Sequence, residues 1–185
     1  MTGSRNINNT SVLTAAHHKY PVGYSKDLGP GDITEAVFWG KSYAVFRTEA
    51  GDLRAIENRC AHRQLKLTTG EVRGCQVTCP YHGWSFDGEG KLVSVAHELF
   101  GKGLPKIQLP NFAVRERYGL IWLFPGDIEK ADSVAMPEIP ELEGKDRWAC
   151  VPVDFTWAAH HSMIIDNVCD FTHEYLHRKF EPFKD

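Results

Sequence analysis

Short apolar-rich runs separated by polar turn residues fill the chain from Lys19 to Pro125. YPVGYS at 20–25, AVFWG at 36–40, SYAVFRT at 42–48 and LRAIEN at 53–58 are short apolar-rich segments of the length and residue types of strands. Turn residues punctuate them: Gly40-Lys41, then the EAGD stretch Glu49–Asp52. QVTC at 76–79, WSFDGEGKLV at 84–93 (turning at Asp87-Gly88) and FAVRERYGLIWLF at 112–124 (turning near Tyr118-Gly119) continue the pattern. Many short strands with frequent turns predict one antiparallel β domain over residues 19–125.

Either side of it the pattern changes. Residues 1–18, rich in Asn, Ser and Thr, read as a flexible tail ending in a solvated pair, His17 and His18. Residues 126–146 are acidic and broken by proline, which predicts an extended linker. RWACVPVDFTWAA at 147–159 predicts a strand. HHSMIIDNVCDFTHEYLHRKF at 160–180 predicts a helix with Ile164, Ile165 and Val168 toward a core. Phe155, Trp157, Phe171 and Tyr175 are read as core or as the lining of a cavity.

Composition adds exclusions. The 185 residues are 42% hydrophobic and 24% charged, with a formal net charge of −3. Neither nucleic acid nor an anionic membrane surface is implied. No apolar run approaches the roughly eighteen residues of a membrane span, and the first sixteen residues lack the regions of a signal peptide. The odd count of five cysteines argues for a reducing compartment, with the cytoplasm as the expected location. Cys75, Cys150 and Cys169 are expected to be buried apolar thiols.

The chemistry is concentrated in Cys60-x-His62 and, after sixteen intervening residues, Cys79-x-x-His82. Two thiolates and two imidazoles fit a tetrahedral zinc or a [2Fe–2S] cluster with two Cys on one iron and two His on the other. Each loop here offers one Cys and one His, whereas zinc knuckles more often offer a pair of one kind. Cys60-Ala-His62-Arg63 and Cys79-Pro-Tyr-His82-Gly-Trp-Ser-Phe86 closely resemble the cluster loops of Rieske non-heme iron oxygenases. The family usually has Gly where this chain has Gln64. Leu65 and Tyr81 occupy the places of the extra cysteines of cytochrome-complex Rieske proteins, so the resemblance is to loops without a disulfide staple. High-potential Rieske proteins carry Ser and Tyr hydroxyls at the positions of Trp84 and Phe86. Their absence implies a potential near the low end of roughly −150 to +300 mV.

A second constellation lies on the predicted helix. Asn167, Asp170, His173 and His177, at i, i+3, i+6 and i+10, would share one face of a continuous helix. Two His with one carboxylate suit a non-heme Fe(II) that activates oxygen. After a Rieske domain, Asp-Asn-x-x-Asp-x-x-His-x-x-x-His resembles the start of a Rieske oxygenase catalytic domain, an α+β fold of the helix-grip, START-like kind. The resemblance implies His173 and His177 as ligands of a mononuclear Fe(II), Asp170 as a carboxylate bridging the two metal centres, and Asn167 beside the iron. His160 and His161 read as caps or as donors to ligands. The third iron ligand is expected beyond residue 185; Asp166, Glu174 and Glu181 receive no role. The resemblance further implies an oxygenase α-subunit, in part, supplied by an NAD(P)H-dependent reductase and a ferredoxin. It would act with O2 on a small aromatic or cyclic organic substrate. The three-residue His spacing, shared with homotrimeric members, hints at a trimer. The rival reading is a Rieske electron carrier with no oxygen chemistry.

Overall fold

Strand Lys41–Arg47 is the centre of the β domain, because both of its faces are covered. In this computed structural model, residues 17–179 are described, apart from Trp39, Glu98, Phe100, Gly101, 145–147, Cys150, Pro152 and Asp154. Most of the expected N-terminal tail, the thiol of Cys150 and Glu181 therefore lie outside the described residues. The strands are β1 Tyr20–Tyr24, β2 Ile33–Phe38, β3 Lys41–Arg47, β4 Leu53–Glu57, β5 Glu71–Arg73, β6 Gln76–Thr78, β7 Ser85–Asp87, β8 Leu92–Ser94, β9 Ala113–Arg117 and β10 Leu120–Phe124. They form three antiparallel sheets, ordered β1-β10-β9, β2-β3-β4 and β5-β6-β7-β8. The mainly antiparallel β architecture expected from the pattern is what the chain adopts.

Alternation along β3 divides its side chains between two cores. Tyr43 and Val45 join Leu28, Ala36, Ala55, Ile121 and Leu123 on one side. Ala44 and Phe46 join Ile56, Leu67, Val77, Phe86, Cys60 and Cys79 on the other. Successive strand residues point to opposite faces, so a sheet packed on both sides needs a continuous apolar run rather than an alternating one. The run from Tyr43 to Phe46 supplies it.

The turns follow the sequence closely. Tyr118 and Gly119, with φ of 58° and 72°, join β9 to β10, and Leu120 pairs directly with Arg117. Positive φ at both central residues is the type I′ geometry that matches the twist of a two-residue hairpin. In the β7–β8 turn, Asp87 Oδ1 accepts from the N–H groups of Glu89 and Lys91 at 3.0 and 2.9 Å. β5 was not legible in the sequence. Its EVR is short, polar at both ends, and ordered by pairing with β6.

Several expectations need correction. Residues 126–146 are not uniformly extended. A 3-10 segment, Ile128–Ser133, is capped by Asp127, and α1 spans Pro140–Glu143. Ala131 is buried, Lys19 Nζ donates to the Val134 carbonyl at 2.6 Å, and Ile139 N donates to Tyr118 Oη at 3.0 Å. These contacts tie residues up to Ile139 to the β domain, and the chain divides into compact units at Ile139/Pro140.

The second unit, Pro140–Asp185, contains no strand among its described residues. Among the described residues of 147–159 the expected strand is not formed, and Val151, Val153, Phe155 and Trp157 are exposed. A strand needs a partner ladder for its backbone groups, and apolar alternation alone does not supply one. The expected single helix is broken into α2 His161–Cys169, a 3-10 turn Phe171–His173 and α3 Glu174–His177. Ile165 and Val168 are exposed rather than core-facing, and Ile164 is half-buried. No described side chain of this unit is fully buried. Cys75 and Cys169 are exposed, not buried. Cys75 sits in the tight β5–β6 turn beside Gly74, and Cys169 ends α2. His17 and His18 are exposed as expected.

Candidate metal centres

The two Cys/His loops have the same backbone closure. After β4, Cys60 N donates to the Leu65 carbonyl at 2.8 Å and Gln64 N to the Cys60 carbonyl at 2.9 Å. After β6, Cys79 N donates to the Trp84 carbonyl at 2.9 Å and Gly83 N to the Cys79 carbonyl at 3.0 Å. In both loops the fifth residue is left-handed, with φ of 63° at Gln64 and 64° at Gly83. The cysteine opens each loop, while the histidine is third in one and fourth in the other. C-x-H and C-x-x-H are thus the same loop with the histidine on a different rung.

Gly83 is demanded twice over. Its φ suits glycine, and a Cβ there would lie 2.5 Å from the Cβ of Ala96. Side chains pin the loop ends. Buried Asn58 donates to Ser42 Oγ and Thr68 Oγ1, both at 2.9 Å, and accepts from Thr68 N at 2.9 Å. Thr78 and Ser85 hydroxyls meet at 2.9 Å across the second loop.

The four side chains segregate by kind. Cys60 and Cys79 are 1% and 2% exposed and belong to the core beneath the loops. The His62 and His82 rings approach to 4.5 Å between centroids, with His62 half-buried and His82 exposed. Trp84 stacks on His62 at 4.8 Å with planes 9° apart, and Tyr81 lies 3.9 Å from His82. Burial, and secondarily the neighbouring Cys79, pushes the Cys60 thiol up from its ordinary value. Burial lowers His62, helped by the nearby charges of His82, Arg63 and His97.

This donor set fits a [2Fe–2S] group. A buried thiol pair and an adjacent imidazole pair match two sulfur ligands on one iron and two nitrogens on the other. His62 Nδ1 is sealed from solvent without a hydrogen-bond partner, and such orphaned nitrogens are rare unless something absent completes them. Among the described residues no three His, Cys, Asp or Glu side chains surround one point. A two-plus-two cluster needs only two per iron. Leu65 and Tyr81 are exposed where a staple would be.

The second constellation is only partly assembled. His160 Nδ1 caps α2, accepting from Ser162 N at 3.3 Å, as its position implied. The helix stops at Asp170, which has φ −88° and ψ 99°. Asp170 Oδ1 accepts from Thr172 N at 2.8 Å and Thr172 Oγ1 at 2.5 Å, and these bonds, Thr172's hydroxyl first, hold its carboxyl below the usual range. A short polar side chain competing for local backbone is what ends the helix there. Asn167, Asp170, His173 and His177 therefore do not share one helical face. The structure brings together the His173 and His177 rings, 5.1 Å apart, with Asp170 Oδ2 3.6 Å from His173 Nδ1, beyond hydrogen-bond length. That nitrogen is again sealed and without a hydrogen-bond partner. The Asn167 side chain is exposed, and its carbonyl accepts from Asp170 N at 3.3 Å. Paired imidazoles are the kind of donor a non-heme iron takes, and among the described residues no third Cys, Asp or Glu joins them around one point.

Sequence reading missed Trp84 as a neighbour of His62. The sign was available: Trp84 holds the place in its loop that Leu65 holds in the other, beside the ligands of both.

Comparison with known proteins agrees with this geometry. Residues 18–100 match the family described as the Rieske [2Fe-2S] domain. The chain is 48% identical over 176 residues to a 4beta-methylsterol monooxygenase of Methylococcus capsulatus, covering 94% of this chain and 47% of that protein. It is 35% identical to the oxygenase component of a chloroacetanilide N-alkylformylase of Rhizorhabdus wittichii, over 83% of this chain and 44% of that one. In structure it resembles NdmA of Pseudomonas putida, solved as a mutant with theobromine, with TM-score 0.77 and 26% identity over 94% of this chain and 54% of that one. Dicamba monooxygenase superposes with TM-score 0.62 and 28% identity over 70% and 41%. The chain thus spans about half the length of these relatives, or less.

Proposed function

The chain belongs to the Rieske non-heme iron oxygenases, and on that premise we propose that it forms the electron-receiving part of an oxygenase component. Its cofactors are a [2Fe–2S] cluster and a mononuclear iron. The observation that carries the reading is the pair of identically closed loops, which bring two buried thiols and two adjacent imidazoles to one place.

In this reading Cys60 and Cys79 hold one iron of the cluster, and His62 and His82 the other. His173 and His177 hold the mononuclear iron, with Asn167 nearby and Asp170 as the carboxylate that would link it to the cluster of a neighbouring subunit. When bound, the cluster supplies single electrons and the mononuclear iron supplies oxygen activation. The protein's own work is placement. The low-dielectric core holds the thiols together, so they are readily deprotonated only when cations balance their charge. Exposed His82 and Tyr81 set the imidazole pair at the surface, where an electron donor can approach. Asp170 offers one oxygen to Thr172 and keeps the other, Oδ2, turned to His173.

The partners in this proposal are an NAD(P)H-dependent reductase with a ferredoxin, and the assembly is a homotrimer. The substrate is a cyclic organic molecule; a methylated sterol is the first to test, given the 48% identity to the methylsterol monooxygenase. Among the described residues no helix is long and apolar enough to cross a membrane. Iron analysis of the complete protein tests the assignment. Three irons per chain, a visible Rieske spectrum and O2-dependent product support it. Two irons with no product in the presence of reductase, ferredoxin and sterol would reduce it to an electron carrier.

A further inference from the structure

Trp84 Nε1 is sealed from solvent and has no hydrogen-bond partner among the described residues. An indole nitrogen only donates, so it needs an acceptor, and buried donors are almost always satisfied. Acceptors of the same loop already have donors: the Trp84 carbonyl accepts from Cys79 N, the Cys79 carbonyl from Gly83 N, and the Thr78 and Ser85 hydroxyls pair with each other. The ring cannot readily turn away, because it lies flat on His62 at 4.8 Å and follows a backbone closed at both ends of the loop. In the companion loop the same place holds Leu65, which donates nothing from its side chain. The two loops are alike in backbone and unlike in this one donor.

We propose that the Trp84 indole N–H is a hydrogen-bond donor to a sulfur of the cluster and raises its reduction potential. This rests on the cluster assignment above. The sulfurs are the acceptors that the cluster would bring into the loops, and the partnerless N–H is already sealed there. Reduction adds one electron and makes the sulfurs more negative, so a fixed donor stabilises the reduced form more than the oxidised one. The indole keeps its proton in both states. The position at which high-potential Rieske proteins have a hydroxyl is here filled by a different donor.

The test is the full chain loaded with its cluster, compared with Trp84→Phe, which keeps an aromatic ring on His62 and removes the N–H. The expected result is unchanged visible absorption with a shift of the potential to more negative values. In parallel, the reduced parent protein labelled with [15N-indole]tryptophan should show a coupled indole nitrogen by pulsed electron paramagnetic resonance. Trp122, whose Nε1 donates to the Arg117 carbonyl at 3.0 Å, is already satisfied. An unchanged potential in Trp84→Phe overturns the proposal. So does the absence of nitrogen coupling in the parent, a measurement that stands even where the variant fails to load. A parent protein with no Rieske spectrum would instead overturn the cluster assignment itself.

Discussion

Gln64 and Gly83 adopt the same left-handed conformation, φ 63° and 64°, at the same place in two loops that close on Cys60 and Cys79. Glycine enters that region freely, whereas a side chain costs roughly 1–2 kcal/mol. One loop therefore has the residue its backbone asks for, and the other is held in shape despite its residue.

That asymmetry predicts opposite effects of two substitutions. Gln64→Gly should stabilise the protein by about 0.5–1 kcal/mol, since relieved strain exceeds the added freedom of the unfolded chain. Gly83→Ala should destabilise it by more than about 1 kcal/mol, because the new Cβ meets Ala96 at 2.5 Å as well as an unfavourable φ. Denaturant midpoints at constant m-value decide both. A destabilised Gln64→Gly would show that the Gln64 side chain has a role beyond its backbone.

The four cluster positions should be individually necessary. His82→Ala removes one imidazole of the pair whose rings lie 4.5 Å apart and leaves an iron short of a ligand. The purified variant should lose the visible Rieske absorption while its far-ultraviolet circular dichroism stays native-like. An unchanged visible spectrum would count against His82 as a ligand.

Arg47 should matter for stability and not for the cluster. From β3 it donates to the Leu28 and Gly51 carbonyls at 2.7 and 3.0 Å, to Ser25 Oγ at 2.9 Å and to Glu116 Oε2 at 3.0 Å. Arg47→Met keeps the stem but leaves these acceptors unmet, costing about 2 kcal/mol. Its visible spectrum should be unaltered.

The same network sets an acid dependence. Ser25's hydroxyl first, and then the Arg47 guanidinium, hold the Glu116 carboxyl below its ordinary value. A depressed folded pKa contributes stability that is present above the unfolded value and is lost as pH falls through the folded one. The wild type should therefore lose stability on acidification more steeply than Arg47→Met in the carboxylate range. Parallel pH profiles of the unfolding midpoint would refute this.

In the complete enzyme, Asp170→Asn tests the bridging role. Asn retains an oxygen that can accept from Thr172 N, so the turn after α2 survives, but the charge beside His173 is lost. Both metals should bind and the cluster should reduce normally, while product per turnover falls by orders of magnitude. Near-normal turnover would exclude the bridge.

The sequence by itself determined what is local. Short apolar runs bounded by turn residues located β1, β3, β4, β9 and β10, because strand length and strand residue types are local properties. Tyr118-Gly119 marked its hairpin, because a two-residue turn there needs positive φ. The Cys/His spacing singled out the two loops that the fold brings together, because residue types and intervals are themselves sequence facts. Tertiary structure decided what depends on partners distant in the chain. β5 exists through pairing with β6, and β3 serves two cores because sheets cover both of its faces. The indole of Trp84 meets His62 only when the loops after β4 and β6 are brought side by side. Helical spacing from Asn167 to His177 placed four residues on one face, yet the Asp170 carboxylate bonded Thr172 and ended the helix. Periodicity assumes an unbroken backbone, and only the folded chain shows where a side chain has broken it.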